Sequence, residues 1–406
     1  MSWAQSLRYT GLALLLAVLV VGPFFQGLFF WTELLAAIAV VALGFILWMV
    51  GRRMAGLPAG LPGGVPGWAL LALLACYLVQ FAWAVYPRGN LDWVLRAAAA
   101  WFAYSMVRVE AGPQLRRWLG WGLGLSAVGV AVLGFMEYTG YLLANPELAE
   151  ALSVVGLHTR MFTVFQYPNT AAAFLLAAMF VLTGLALEDR RPWRTALAGG
   201  VLALLALAFF FTLSRGAVVI LPFGLLLLLV GLPRGQRWPA ALLLLAAFVP
   251  VVVTMKPIGG YAAVQDYVHA FQWTGLGTGL GLVGGLLVGL LLKLRPRVQL
   301  GLGLAAVAAV AAVLVAVRPE DGYLPKQAAR LLDINFRTDS VVSRLTFDWN
   351  ALEIVSDYPL GRGGMGWERS YRQYQEIAYT ANETHNHYLQ TAVEAGLPGL
   401  VALCAA

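Results

Sequence analysis

Charge is what this chain has least of. Asp, Glu, Lys and Arg make up 12% of its 406 residues, where a water-soluble domain carries about a quarter. With 60% hydrophobic residues and a mean hydropathy of +0.76, the chain cannot cover its apolar surface with polar groups. That excludes a soluble globular protein, although the length alone would suit two or three domains. Cysteine is scarce as well. Cys76 and Cys404 both lie in apolar runs, where a thiol acts as a small hydrophobe; no disulfide framework and no Cys/His metal spacing exist. No small-residue cleavage site follows the first apolar run, Leu12 to Phe25, so it reads as a retained transmembrane helix rather than a signal peptide. The formal charge of +7 comes from Lys and Arg in short loops between apolar runs. This is the positive-inside pattern, and nucleic acid is not an expected partner.

What the chain does have is long hydrophobic runs. A bilayer-spanning helix needs about 20 mostly apolar residues, and that length predicts spans at 9–26, 30–50, 67–86, 91–107, 117–138, 168–187, 195–213, 215–232, 238–254, 271–292 and 299–317. A final run from Tyr388 to Ala406 is interrupted by Gly396-Leu397-Pro398-Gly399, and it reads either as one kinked helix or as the start of a truncated twelfth span. The expected fold is an all-α polytopic membrane protein of about 12 helices. Its segments are 1–317 (helices and short loops), 318–384 (one large loop) and 385–406 (the last span). If each span crosses once, Arg8, Arg52/Arg53, Arg108, Arg116/Arg117, Arg190/Arg191/Arg194, Arg234/Arg237 and Lys293/Arg295/Arg297 share one side. The basic side is cytoplasmic, which makes the large loop extracytoplasmic.

That loop is the polar exception. Its 67 residues, Arg318 to Thr384, hold 18 of the chain's 47 charged side chains. Within it, Val341, Leu345, Leu352 and Val355 fall on one helical face, with Asp339 as a plausible N-cap and Pro359 as a stop. Arg344 and Asp348 stand one turn apart on this stripe. Either they form an internal ion pair on an interfacial amphipathic helix, or Asp348 holds Arg344 towards an anionic headgroup.

Three side chains point to chemistry. Arg215 is the only charged residue between Thr195 and Pro233; an Arg embedded in a membrane costs about 2.5–3.5 kcal/mol and marks function by default. It stands at an extracytoplasmic turn, against the positive-inside trend, where an anion-binding role competes with that of an interfacial anchor. His385 opens the last apolar run at the outer boundary, where an imidazole can take a proton from a hydroxyl or bind a phosphate. Arg160 is a second outside arginine, and a diphosphate calls for two or three such forks. His387 is two positions from His385, so on a helix the rings diverge by about 200° and share no metal. The stretch Gly361-Arg-Gly-Gly-Met-Gly366 lacks the preceding strand and the lysine of a phosphate loop, and reads as a tight turn.

Taken together, the stretch from Arg160 to the C-terminus resembles the O-antigen ligase/polymerase family of bacterial envelope glycosyltransferases. The resemblance rests on Ser214-Arg215-Gly216 opening a span, Ser343-Arg344 followed by Trp349, Pro359-Leu-Gly-Arg-Gly-Gly-Met-Gly366, His385-Asn386-His387-Tyr388-Leu389, and Glu394-Ala-Gly396-Leu-Pro-Gly399. It implies a GT-C-like bundle of about a dozen spans with one large periplasmic loop. It also implies transfer of a glycan from an undecaprenyl diphosphate carrier to an acceptor, of the lipid A-core type, at the outer face of the bacterial cytoplasmic membrane, without a metal or other cofactor. By this resemblance His385 and Arg215 are the catalytic residues, with Arg160, Arg344 and Asn386 as substrate contacts. A repeat-unit polymerase and a protein O-oligosaccharyltransferase are close alternatives. A transporter or flippase would show charges near the midplane of several spans and inverted repeats, and neither is present.

Overall fold

The computed structural model describes residues 2–58, 63–151, 160–165, 167–189, 191–295, 297–305, 308 and 339–406. Every regular element among them is helical: α1 (Trp3–Val21), α2 (Trp31–Met54), α3 (Val65–Val79), α4 (Pro87–Val109), α5 (Pro113–Tyr138), the short α6 (Tyr141–Ala144) and α7 (Pro146–Ala151), α8 (Pro168–Ala186), α9 (Pro192–Phe211), α10 (Arg215–Gly231), α11 (Arg234–Ala263), α12 (Tyr267–Leu291), α13 (Asp339–Asp357), the short α14 (Gly366–Ser370) and α15 (His387–Ala405). Among the described residues nine helices are long and apolar enough to cross a membrane, and the apolar α10 is shorter, at 17 residues. The protein is therefore an all-α, multi-spanning membrane protein. α4 has the length, with 23 residues or about 34 Å, but Arg88, Asp92 and Arg96 make its first half polar. The expected span at 299–317 and most of the loop before Asp339 lie largely outside the described residues.

The chain divides into two compact units. The first comprises Met1–Val18, Leu35–Leu115 and Asn335–Ala406. At one end of this unit the start of α1, the end of α2 and the end of α4 meet. Glu110 accepts from Arg8 Nη2 at 2.8 Å, Arg52 Nη1 at 2.9 Å and Trp48 Nε1 at 3.0 Å. Burial alone would raise the Glu110 pKa, but these donors outweigh it and hold the carboxyl below its usual range. At the other end of α4, Trp93 lies beside His387 at the start of α15, with ring centroids 6.4 Å apart. Seventeen residues of helix, about 26 Å, separate Trp93 from Glu110. The expected amphipathic stripe is turned. Phe347, Ala351, Ile354 and Val355 form the buried face of α13, with Trp367, Tyr371 and Val393, whereas Leu345 and Leu352 are exposed. Aromatic packing of Phe347 against Tyr379 and Trp367 selects this face over the aliphatic one. The expected cap at Asp339 and the stripe position Val341 lie outside the described side chains.

The second unit comprises Leu19–Leu34 and Arg116–Ile334. Its centre is α9, which buries Leu202, Leu205, Phe209 and Phe211 among α5, α8 and α11. α9 also meets α12 through glycines: a Cβ on Gly199 would overlap the backbone of Gly281 and Gly285. With no hydrophobic force between helices in lipid, such close backbone approach is how spans associate. Ion pairs mark one end of this unit, Arg117 with Glu188 and Arg194 with Asp189. The turn from α9 into α10 marks the other.

Candidate active site

In the first unit the sequence Thr384-His385-Asn386 forms a turn just ahead of α15. His385 has φ = +58°, a left-handed backbone that a non-glycine residue adopts only when its surroundings impose it. Those surroundings are explicit. Thr384 Oγ1 donates to the Asn386 carbonyl at 2.8 Å and accepts from the Asn386 amide at 3.1 Å. The Thr384 amide donates to Gln390 Oε1 at 2.9 Å. Asn386 is the N-cap of α15, its side chain accepting from the Leu389 amide, and its Nδ2 donates to Asp348 Oδ1 at 3.2 Å. The result is an exposed imidazole on a rigid mount, 6.1 Å from the Phe347 ring. The tyrosines behind it are not bases near neutrality. Burial pushes Tyr379 up to about 12, and burial together with a hydrogen bond to Asp357 does the same for Tyr374.

The glycine-rich stretch after Pro359 is the tight turn expected from its sequence, and it has a definite task. α15 breaks at Gly396 (φ = +75°, ψ = 177°), so the carbonyls before the break lose their helical donors. Arg362 and Gly363 supply them, donating to the Val393 and Glu394 carbonyls at 2.9 Å each, and the Leu397 amide donates to the Pro359 carbonyl at 2.9 Å. The end of α3 and the start of α4 close the other side. Gln80 Nε2 donates to the Leu360 carbonyl at 2.8 Å, Trp83 Nε1 to the Gly361 carbonyl at 3.0 Å, and Asn90 Oδ1 accepts from Gly364 at 3.0 Å. Gly361 has φ = +83° and lies so close to Gly396 that a side chain has no room. The break in α15 is therefore a built joint, and its first half, from His387 to Ala395, is locked to the loop.

In the second unit Arg160, Asn169 and Ser214 assemble around the α9–α10 turn. Arg160 Nε donates to the Thr212 carbonyl at 3.0 Å, and its Nη2 lies 3.5 Å from Asn169 Oδ1. Ser214 Oγ donates to the same Asn169 Oδ1 at 2.7 Å while capping α10 at the Ala217 amide. Arg215 follows as the first residue of α10 and is half-buried. The backbone here is strained too, with Leu213 at φ = +49° and Thr163 at φ = +58°. Thr163 donates its amide to Glu137, a carboxylate 2% exposed at the end of α5, at 2.8 Å.

Of the residues singled out from sequence, the structure brings His385 and Asn386 together, and separately places Arg160 beside the turn that carries Arg215. Arg344 is exposed on α13. Asp348 does not hold it but accepts from Asn386, because the aromatic face of α13 turns Asp348 towards the cap of α15. His387 sits against Trp93 and His385 against Phe347; His385 precedes α15, so the helical spacing does not relate the two rings. Sequence reasoning missed Asn169, Gln390 and Glu137, and it quoted Glu394 only as part of a motif, without a role. The available signal was a lone carboxylate inside an apolar run, for Glu137 and Glu394 alike. Among the described residues no group of three or more His, Cys, Asp or Glu is placed to hold a metal ion.

A family model described as O-antigen ligase matches residues 270–404. That stretch runs from the first turn of α12 to the last turn of α15, includes the His385 turn and the glycine-rich joint, and excludes Arg160 and Arg215. Neither the curated proteins nor the solved structures gave a match. The family resemblance expected from the motifs thus holds over the C-terminal third, where residues 270–404 of this membrane protein match the O-antigen ligase family of glycosyltransferase-like ligases and polymerases.

Proposed function

We propose that the protein transfers a glycan from an undecaprenyl diphosphate carrier to a hydroxyl of a lipid A-core type acceptor at the periplasmic face of the bacterial inner membrane. The observation that carries this reading is the exposed His385 imidazole, held in a strained turn by Thr384, Asn386 and Asp348. Two arguments support the sidedness. Basic loops alternate with the His385 and Arg215 ends along the sequence, and the Glu110 cluster lies at the far end of α4 from His387.

The chemistry asks little of the protein. The acceptor oxygen attacks the anomeric carbon, the bond from that carbon to the diphosphate oxygen breaks, and undecaprenyl diphosphate leaves with the electron pair. His385 takes the acceptor proton and returns it to solvent. Arg215 and Arg160 meet the negative charge that grows on the diphosphate, where low dielectric makes a guanidinium effective. Arg344 and Asn386 contact the substrates. No step requires a metal ion.

The test is transfer by the full chain in detergent or nanodiscs, from an undecaprenyl-diphosphate oligosaccharide to lipid A-core, to a growing glycan or to a protein. Transfer by the wild type, lost in His385→Ala and Arg215→Ala and indifferent to EDTA, is the expected result, and the productive acceptor separates ligase from polymerase. Undiminished transfer by both variants would sink the assignment of roles.

A further inference from the structure

Glu394 is an ionisable residue inside a membrane helix, 1% exposed, and the transfer reaction as written does not use it. Its partner is Gln390, one turn earlier on the same face of α15 and 8% exposed. Gln390 Nε2 donates to Glu394 Oε1 at 2.6 Å, and Gln390 Oε1 accepts from the Thr384 amide at 2.9 Å. The orientation of the amide is forced. The Thr384 N–H can only donate, so the Gln390 oxygen must face it and the Gln390 NH2 must face Glu394. Glu394 Oε1 is therefore an acceptor. Oε2 is buried and makes no regular hydrogen bond, while the backbone amide of Met365, itself at φ = +60°, is directed at the carboxylate.

One short chain thus runs from the glycine-rich loop, through Glu394 and Gln390, to Thr384 and the strained His385. A side-chain amide and a backbone N–H interrupt it, and neither passes a proton on to the imidazole. Glu394 is consequently not the proton partner of His385. We infer that Gln390 and Glu394 are positioning residues, which hold the His385 turn in its exposed left-handed conformation and couple it to the glycine-rich joint. The inference rests on the reading of His385 as the base of the transfer reaction.

The experiment pairs hydrogen exchange with transfer kinetics, using the full chain in nanodiscs. In Glu394→Ala the Gln390 NH2 loses its acceptor. The Thr384–Asn386 amides should then exchange about 10-fold faster, and kcat should fall about 10- to 100-fold with KM nearly unchanged. In Glu394→Gln the amide oxygen replaces Oε1, so exchange, kcat and the pH profile should all return to within about threefold of wild type. If Glu394→Ala does not fold, Gln390→Leu removes the same link and carries the same expectation. Unchanged exchange in the alanine or leucine variant overturns the inference. So does a Glu394→Gln variant as impaired as Glu394→Ala, or one with a shifted pH profile, because the carboxylate itself would then be required. Faster exchange with undiminished transfer would uphold the positioning and count instead against His385 as the base.

Discussion

The side chain of Asn386 serves two helices at once: its Oδ1 caps α15 at the Leu389 amide, and its Nδ2 donates to Asp348 Oδ1 on α13. A residue whose two amide atoms have different obligations cannot be replaced by one that meets only one of them. Asn386→Ala removes both bonds. Loss of the cap alone costs about 1 kcal/mol, and loosening of the adjacent His385 turn should lower transfer about 10- to 100-fold. Asp348→Asn keeps an acceptor oxygen opposite Asn386 and should stay within about threefold of wild type. Thermal unfolding in detergent together with initial transfer rates checks both.

The joint at the break of α15 makes a second prediction. Gly361→Ala must place a Cβ where the Gly396 backbone already sits, in a conformation that L-residues resist. We expect a loss of about 3 kcal/mol or more, seen as a collapsed unfolding temperature or failure to accumulate in the membrane. Gly216 is the control. Apart from its chain neighbours and the backbone of its own helix, no atom of the described residues lies within 4 Å of a Cβ built on it, so Gly216→Ala in the first turn of α10 should shift stability by less than about 1 kcal/mol.

Much of this was legible in the sequence, for physical reasons. Apolar length reveals spans because lipid admits only helices that satisfy their own backbone, and the glycines of Pro359–Gly366 announced a turn. The isolated charge Arg215 stood out because charge is costly in an apolar run, and Arg160 because it is a second arginine on the expected outer side. What stayed hidden depended on which neighbour a side chain meets. The face α13 buries was decided by Phe347 and its aromatic partners, and this turned Asp348 away from Arg344. Gln390 and Glu394 were obscure because an i,i+4 pair in an apolar run has no visible purpose until Thr384 is placed above it.

In the second unit, Asn169 Oδ1 is shared by Ser214 Oγ and Arg160, and its Nδ2 donates to the Tyr167 hydroxyl at 2.8 Å. Removing it should leave the α9–α10 turn capped and Arg160 Nε on the Thr212 carbonyl, but take away the contact that orients Arg160 Nη2. If Arg160 binds the diphosphate, Asn169→Ala should raise the KM for the lipid-linked donor about 10-fold while kcat changes less. A donor titration at saturating acceptor reads this directly, and a fall in kcat with unchanged KM would contradict it.

Glu110 gives a pH dependence with a definite sign. Its folded-state pKa lies below the ordinary carboxylate value of 4.5, because the hydrogen bonds from Trp48, Arg8 and Arg52 outweigh the opposing effect of burial. A carboxyl depressed on folding contributes stability that is present above the unfolded value and is lost as pH falls through the folded one. With the Glu110 side chain 16% exposed and its partners Arg8 and Arg52 at 21% and 9%, a contribution of about 1–3 kcal/mol near neutrality is expected. The unfolding temperature of the wild type should therefore hold steady from neutrality down to about pH 4.5 and drop below it. Glu110→Gln should begin lower, because one oxygen and the charge are gone, and should lack that share of the acid-induced drop. Parallel unfolding scans from pH 3 to 7 decide the point. Equal slopes in the two proteins below pH 4.5 would mean that the arginine cluster does not depress Glu110.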